Sequence, residues 1–133
     1  MSKGSGTPED PWVLNTPLGK AQFEMHRDEE KDVLHCQVGS TWLHYRSSAL
    51  DDLHAMLTKH GDWMELGNKD EKAETKPDTV EDWGRSTDNP VGGWYGLRKG
   101  YRGRFASYVT PVLERLGKVE FEKRGRSTWV RAL

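Results

Sequence analysis

Apolar and polar residues alternate from Ala21 to His26, with Ala21, Phe23 and Met25 on one side and Gln22, Glu24 and His26 on the other. That two-residue period predicts a half-buried strand. Val33 to Val38 and Thr41 to Arg46 repeat it on either side of Gly39-Ser40, a pair suited to a tight hairpin turn with glycine first. The three segments predict an antiparallel meander. Across the turn, Cys36 then opposes Leu43 and Leu34 opposes Tyr45 on the apolar face, while His35 opposes His44 on the polar one. Matching the apolar face of the first strand requires paired residue numbers with an odd sum; a sum of 61 sets Met25 against Cys36 and His26 against His35 and lines up three imidazoles across three strands, while other odd sums keep the same faces.

The period then lengthens. Leu50, Leu53, Met56 and Leu57 follow helical spacing from Ala49, with Ser48 as the expected cap, Asp51 completing a capping box and Gly61 as the stop. Trp63 and Leu66 suit one more short segment. Residues 68–88 turn polar, with seven acidic and four basic side chains, and read as a long surface loop that can hold a helical turn over Thr79 to Trp83, capped by Asp78 or Thr79. Phe105, Tyr108, Val109, Val112, Leu113 and Leu116 give the longest helical stripe in the chain. Pro111 falls inside it, removes the bond to the Ser107 carbonyl and predicts a bend. Gly117 ends the helix, and Lys118 to Lys123 with Thr128 to Ala132 form a last hairpin around the basic tip Arg124-Gly125-Arg126. The expected fold is α+β: a three-stranded meander with a helix, then a helix followed by a β-hairpin. One domain is expected over residues 8–133, after a disordered tail at 1–7 and with Asp10-Pro11-Trp12 as its first anchor.

Composition adjusts this picture in two ways. Hydrophobic residues make up only 34% of the 133, but six Trp, four Tyr and three Phe supply large buried areas, so a folded core is still expected. The lone Cys36 excludes an internal disulfide framework and suits a reducing cytoplasm. No apolar run approaches the roughly 18 residues of a membrane span, and the start of the chain lacks the apolar stretch of a signal peptide, which points to a cytoplasmic protein away from membranes.

The net charge of −1 conceals two opposite halves. Residues 92–133 hold ten Lys/Arg and three Asp/Glu, against ten and eighteen in residues 1–91. The positive charge concentrates in Asn89 to Phe105, NPVGGWYGLRKGYRGRF, where five glycines, four aromatics and four basic residues interleave without an acidic residue. Arg98, Lys99, Arg102 and Arg104 gather there, just before a helix N-terminus that itself favours anions. Crowding cations at that end costs stability unless an anion or a carboxylate lies close. Two readings follow: a site for an external anion, or pairing of these groups with the acidic half. The spacing fits neither a dinucleotide fingerprint nor a P-loop.

Ser107 to Leu133 resembles the recognition helix and wing of winged-helix proteins, through Ser107, Val109, Leu113, Leu116 and Gly117, then Arg124, Gly125, Arg126, Trp129 and Leu133. The resemblance implies Arg104, Ser107 and Arg115 facing a DNA groove, with Arg124 and Arg126 gripping phosphate. Pro111, and a glycine-rich loop where the preceding helix should lie, depart from that pattern. His26, His35 and His44 are the candidate metal set, since three imidazoles can bind zinc. Ordinary exposed histidines on a polar face read the same way, and no cofactor is called for. GTxxDPW at Gly6 to Trp12, together with DNPVGGWYGLRKGYRGRF at Asp88 to Phe105, resembles a family of small bacterial proteins of unknown function nearly end to end. The resemblance implies a bacterial cytoplasmic protein and brings no activity with it.

The function expected from sequence is a non-catalytic binding module for an anionic partner, foremost nucleic acid. Arg98, Lys99, Arg102, Arg104, Arg124 and Arg126 would meet phosphates, with Trp94, Tyr95 and Tyr101 as aromatic contacts. The alternative is a small enzyme or metal protein using the histidine face or a cleft near Trp94.

Overall fold

The computed structural model describes residues 4–17 and 21–133. Strands β2 (Gln22–Asp28), β3 (Val33–Val38) and β4 (Thr41–Arg46) form the expected meander. Their registers keep the apolar faces together, and of those the alternation allows the first pair adopts the one in which Met25 opposes Cys36 and His26 opposes His35; in the second hairpin Cys36 opposes Leu43 and His35 opposes His44. Gly39 turns the second hairpin at φ 61°, the left-handed value a leading glycine adopts at little cost. The sheet has a fourth strand that the sequence reading left as an anchor alone. Here β1 (Trp12–Asn15) pairs with β2, setting Trp12 against Met25 and Leu14 against Phe23. Gly4 to Thr7, expected within a frayed tail, fold back on this edge, where Arg27 donates its backbone N–H to the Gly6 carbonyl at 2.9 Å.

Helix α1 (Ala49–His60) starts and stops where expected, and Gly61 closes it at φ 72°. Its cap differs. The Ser48 side chain makes no capping bond; instead the Asp32 carboxylate accepts from the Ser48 N–H at 2.9 Å and from the Ser47 hydroxyl at 2.8 Å. Asp32 comes from the β2–β3 turn, so a tertiary carboxylate does the work of a local one. Helix α3 (Phe105–Arg115) follows a short β5 (Met64–Glu65) and a one-turn α2 (Val80–Trp83), and precedes β6 (Val119–Arg124) and β7 (Ser127–Ala132). The second sheet has the order β5-β7-β6. Its hairpin pairs out to Arg124 opposite Ser127, so the turn is Gly125-Arg126 and the strands extend further into the basic tip than expected.

Helix α3 passes unbroken through Pro111 and packs against α1, α2, β1 and β6, which places it between the two sheets. Phe105, Tyr108, Val109, Val112 and Leu113 are core residues as the stripe predicts. Leu116 is not: it is 42% exposed, because the helix has ended and Gly117, at φ 75°, turns the chain away. The turn closes with bonds from Gly117 N–H to the Glu114 carbonyl and from Lys118 N–H to the Leu113 carbonyl, which fixes Leu116 on the outside of the bend. Tyr45, Trp83, Tyr95 and Phe105 form one aromatic cluster at centroid separations of 5.3 to 6.1 Å. Gly84 lies under the Phe105 ring, where a Cβ would come within 2.5 Å of it.

The segment read as a polar loop at 68–88 enters the interior. Thr79, Val80 and Glu81 are buried, and the Thr79 side chain caps α2 by accepting from the Asp82 N–H at 3.2 Å. No described helix is long and apolar enough to cross a membrane. Leu113, fully buried in α3, gives the test of this packing: Leu113→Ala is expected to cost about 2 to 5 kcal/mol in denaturant melts.

Candidate anion-binding site

The glycine-rich loop does bind an anion, and the chain itself supplies one. Glu71 places its carboxylate within 3.1 Å of the Gly100 N–H, 2.9 Å of the Arg102 N–H and 2.7 Å of Arg102 Nε. The bond from Arg102, set against partial burial, holds the Glu71 carboxyl down to a pKa of about 2. Two residues along, Arg104 donates its backbone N–H to the Lys69 carbonyl at 2.8 Å and its Nε–H to Asp70 at 2.7 Å. Between them Gly103 lies so close that a Cβ would stand 2.2 Å from the Glu71 nitrogen, while its carbonyl accepts the Tyr45 hydroxyl at 2.9 Å. Segments 69–71 and 100–104 are thus zipped together.

Helix α3 meets a second internal carboxylate at its N-terminus. Glu81, 1% exposed, accepts from the Ala106 N–H at 2.9 Å, from the Phe105 N–H at 3.3 Å and from Arg85 at 2.8 Å. Burial raises its pKa, and those three donors pull it back. The Arg85 guanidinium also reaches the carbonyls of Lys69, Asp70, Glu71 and Ala73 at 3.1 to 3.4 Å. It stacks on one side of Trp94 at 4.4 Å, with Arg102 at 4.4 Å from the same ring.

The nine residues singled out by the sequence therefore divide. Arg102 and Arg104 are paired with internal carboxylates, and Arg124 pairs with Glu122 at 2.7 Å while stacking on Trp129. Arg98 donates to the Trp42 carbonyl at 2.6 Å and lies over Tyr101 at 4.1 Å. Trp94 is held between the two guanidinium groups, and Tyr95 is fully buried with its hydroxyl donating to Asp52 at 2.7 Å. Tyr101 stays 44% exposed. Lys99 and Arg126 are exposed, and among the described residues neither side chain makes a hydrogen bond or ion pair.

Two adjoining clefts share Arg104 and Tyr108. The first, about 400 Å³, runs from Thr41 and Leu43 past Lys72 to Tyr101. The second, about 520 Å³, brings Arg104 together with Arg126 of the hairpin tip and with Lys69, Lys76, Ser107 and Thr128. Glu65 is its one carboxylate; Lys76 bonds it at 2.7 Å, and that bond lowers its pKa. The side chains of Lys69 and Arg126 have no partner among the described residues. Asn68 and Thr128 also line this cleft, and among the described residues Asn68 Oδ1 and Thr128 Oγ1, both closed to solvent, have no hydrogen-bond partner. Asn68, Lys69, Lys76 and Thr128 were not singled out by sequence. They sit on three segments and carry no local motif.

The imidazoles of His26, His35 and His44 do line up. The first two stack at 4.7 Å, and His35 Nδ1 lies 3.0 Å from His44 Nδ1. Among the described residues no group of three or more His, Cys, Asp or Glu is arranged to hold an ion. For the resembled recognition helix, eight of the eleven α3 residues are buried, and Arg115 donates to the Gly4 carbonyl at 2.6 Å.

Fold and site define an α+β domain in which internal carboxylates pair with Arg102 and Arg104 of the glycine-rich loop, which borders a basic cleft. The chain belongs to a family described as "Family of unknown function (DUF6855)", whose sequence model it matches over residues 4–133. No curated protein and no solved structure matches it.

Because Glu71 has a lower pKa folded than its ordinary 4.5, its bonds stabilise the protein fully above that value and are lost as pH falls through about 2. Glu71→Gln is expected to lower the melting temperature by a constant amount above about pH 5, a gap that closes towards pH 2 in melts recorded across that range.

Proposed function

We propose that this protein is a non-catalytic binding module for an anionic partner, and that the partner is nucleic acid. The observation that carries the reading is the convergence of Arg104, from the glycine-rich loop, and Arg126, from the hairpin tip, on one cleft with Lys69 and Lys76. These residues lie on three separate segments, and among the described residues of the lining four cations meet one carboxylate, with Arg104 also paired to Asp70 beyond it. Such a surface attracts phosphates and releases their counterions. Tyr101, exposed on the adjoining cleft, supplies a face on which a base can stack, whereas Tyr95 is buried. The cations already paired with Glu71, Asp70 and Glu122 hold the fold and lend less to a partner. Cys36 suits a reducing cytoplasm in this reading: it is free, and burial pushes its thiol up to about 12.

Short single-stranded DNA and RNA titrated into the full chain at low salt are expected to bind with roughly micromolar or weaker affinity. Neutralising Lys69 and Arg126 together should flatten the log–log salt dependence by about two phosphate equivalents. Tyr101→Ala should weaken binding by about 1 to 3 kcal/mol if a base stacks there. Amide shifts that leave residues 65–69, 101–108 and 124–128 unmoved by either nucleic acid overturn the reading.

A further inference from the structure

We infer that the cleft between Lys69, Ser107, Arg126 and Thr128 is a receptor for a phosphate monoester, an end group with three free oxygens, and not for the phosphodiesters along a strand. The inference rests on the anion-binding reading of this cleft and names which anion it takes. Charge is the first reason. Of the four cations that line it among the described residues, Lys76 is matched by Glu65 and Arg104 by Asp70, so Lys69 and Arg126 are left over. Two unmatched positive charges suit a monoester, which carries about −1.5 to −2 at neutral pH, better than a diester with a single charge.

Polar complementarity is the second reason. Thr128 is 8% exposed, yet its hydroxyl has no partner, an arrangement that costs stability unless something else completes it. Ser107 lines the same space, and Arg126 adds a planar set of donors that matches phosphate oxygens. A monoester group accepts only, and all of these groups can donate.

Shape is the third. About 520 Å³ lies within the range of small-ligand sites, and the described lining of this half-open recess comes from Thr16, Pro17 and Ala21, from Leu66 and Gly67 after β5, and from α3. A continuous strand needs an open groove, whereas an end group can enter a recess. The same group occurs at the terminus of a nucleic acid and on a free nucleotide, and the experiment separates these sources.

Calorimetry on the full chain would compare an oligonucleotide bearing terminal phosphates, the same oligonucleotide ending in hydroxyls, and a nucleoside monophosphate. The phosphorylated oligonucleotide is expected to bind at least about tenfold more tightly than its hydroxyl counterpart, as a charge-assisted contact allows. Arg126→Ala should erase that difference. Thr128→Val should lower affinity for the phosphorylated end by about two- to tenfold while leaving the melting temperature unchanged or raised, since a buried hydroxyl without a partner is replaced by a methyl of similar shape. A purely structural Thr128 would instead lose stability and keep affinity. Equal binding of the phosphorylated and hydroxyl oligonucleotides overturns this inference and leaves the nucleic-acid reading standing. Binding of the monophosphate alone, sensitive to Arg126→Ala, supports the inference and overturns the nucleic-acid reading. Absence of binding by all three overturns both.

Discussion

Removing a carboxylate from water costs several kcal/mol unless an opposite charge and hydrogen bonds replace its hydration, and Glu81 receives both. Two donors are the first free amides of α3, where the helix end carries partial positive charge, and the third is the Arg85 guanidinium. Because Arg85 also gathers four carbonyls of residues 69–73, the position of α3 and the path of that segment are set together. Segment 69–71 in turn presents Asp70 and Glu71 to the glycine-rich loop. One buried ion pair therefore orders the walls of both clefts, although neither of its members lines them.

This arrangement explains how a chain with such divided charge can fold as one body. The acidic stretch before α3 packs against the basic one, and its Glu71 and Asp70 meet Arg102 and Arg104 at 2.7 Å. Arg104 sits in the left-handed region at φ 58°, a strained conformation for a side chain of its kind, and from there it reaches Asp70 while contributing to both clefts. The residual positive charge is confined to groups that the internal pairing does not use, Lys69 and Arg126 among them.

Much of the secondary structure was legible because it is dictated by short periods. The two-residue turn at Gly39-Ser40 selects a register in which Leu34, Cys36, Leu43 and Tyr45 share a face, and Phe105 to Leu113 keep helical spacing despite Pro111. What escaped was tertiary in origin. Strand β1 is four residues long and is defined by its pairing with β2, while Asp32 caps α1 from sixteen residues away. The candidate site was half legible. Local sequence showed that the glycine-rich loop and the helix after it are built to receive an anion. It could not show that Glu71 and Glu81 fill those positions, since these carboxylates lie in a stretch that reads as solvated. Nor could it bring Lys69 and Thr128 beside Arg126, because such a cleft has no spacing to recognise.

The histidine row has a consequence in proton order. His35 and His44 face each other through Nδ1 atoms 3.0 Å apart, so one must carry the hydrogen there and the other must not. Their tautomers are therefore opposite, and either assignment fixes the other. Burial, then the charge of His26, then that of His44 lowers the His35 pKa; burial also leads the lowering at His44. Protonating both rings would bring two N–H groups head to head, so mild acid charges this pair one step at a time. Within the row, His35 and His44 thus form a proton-ordered pair across the sheet, their two facing nitrogens already spent on each other.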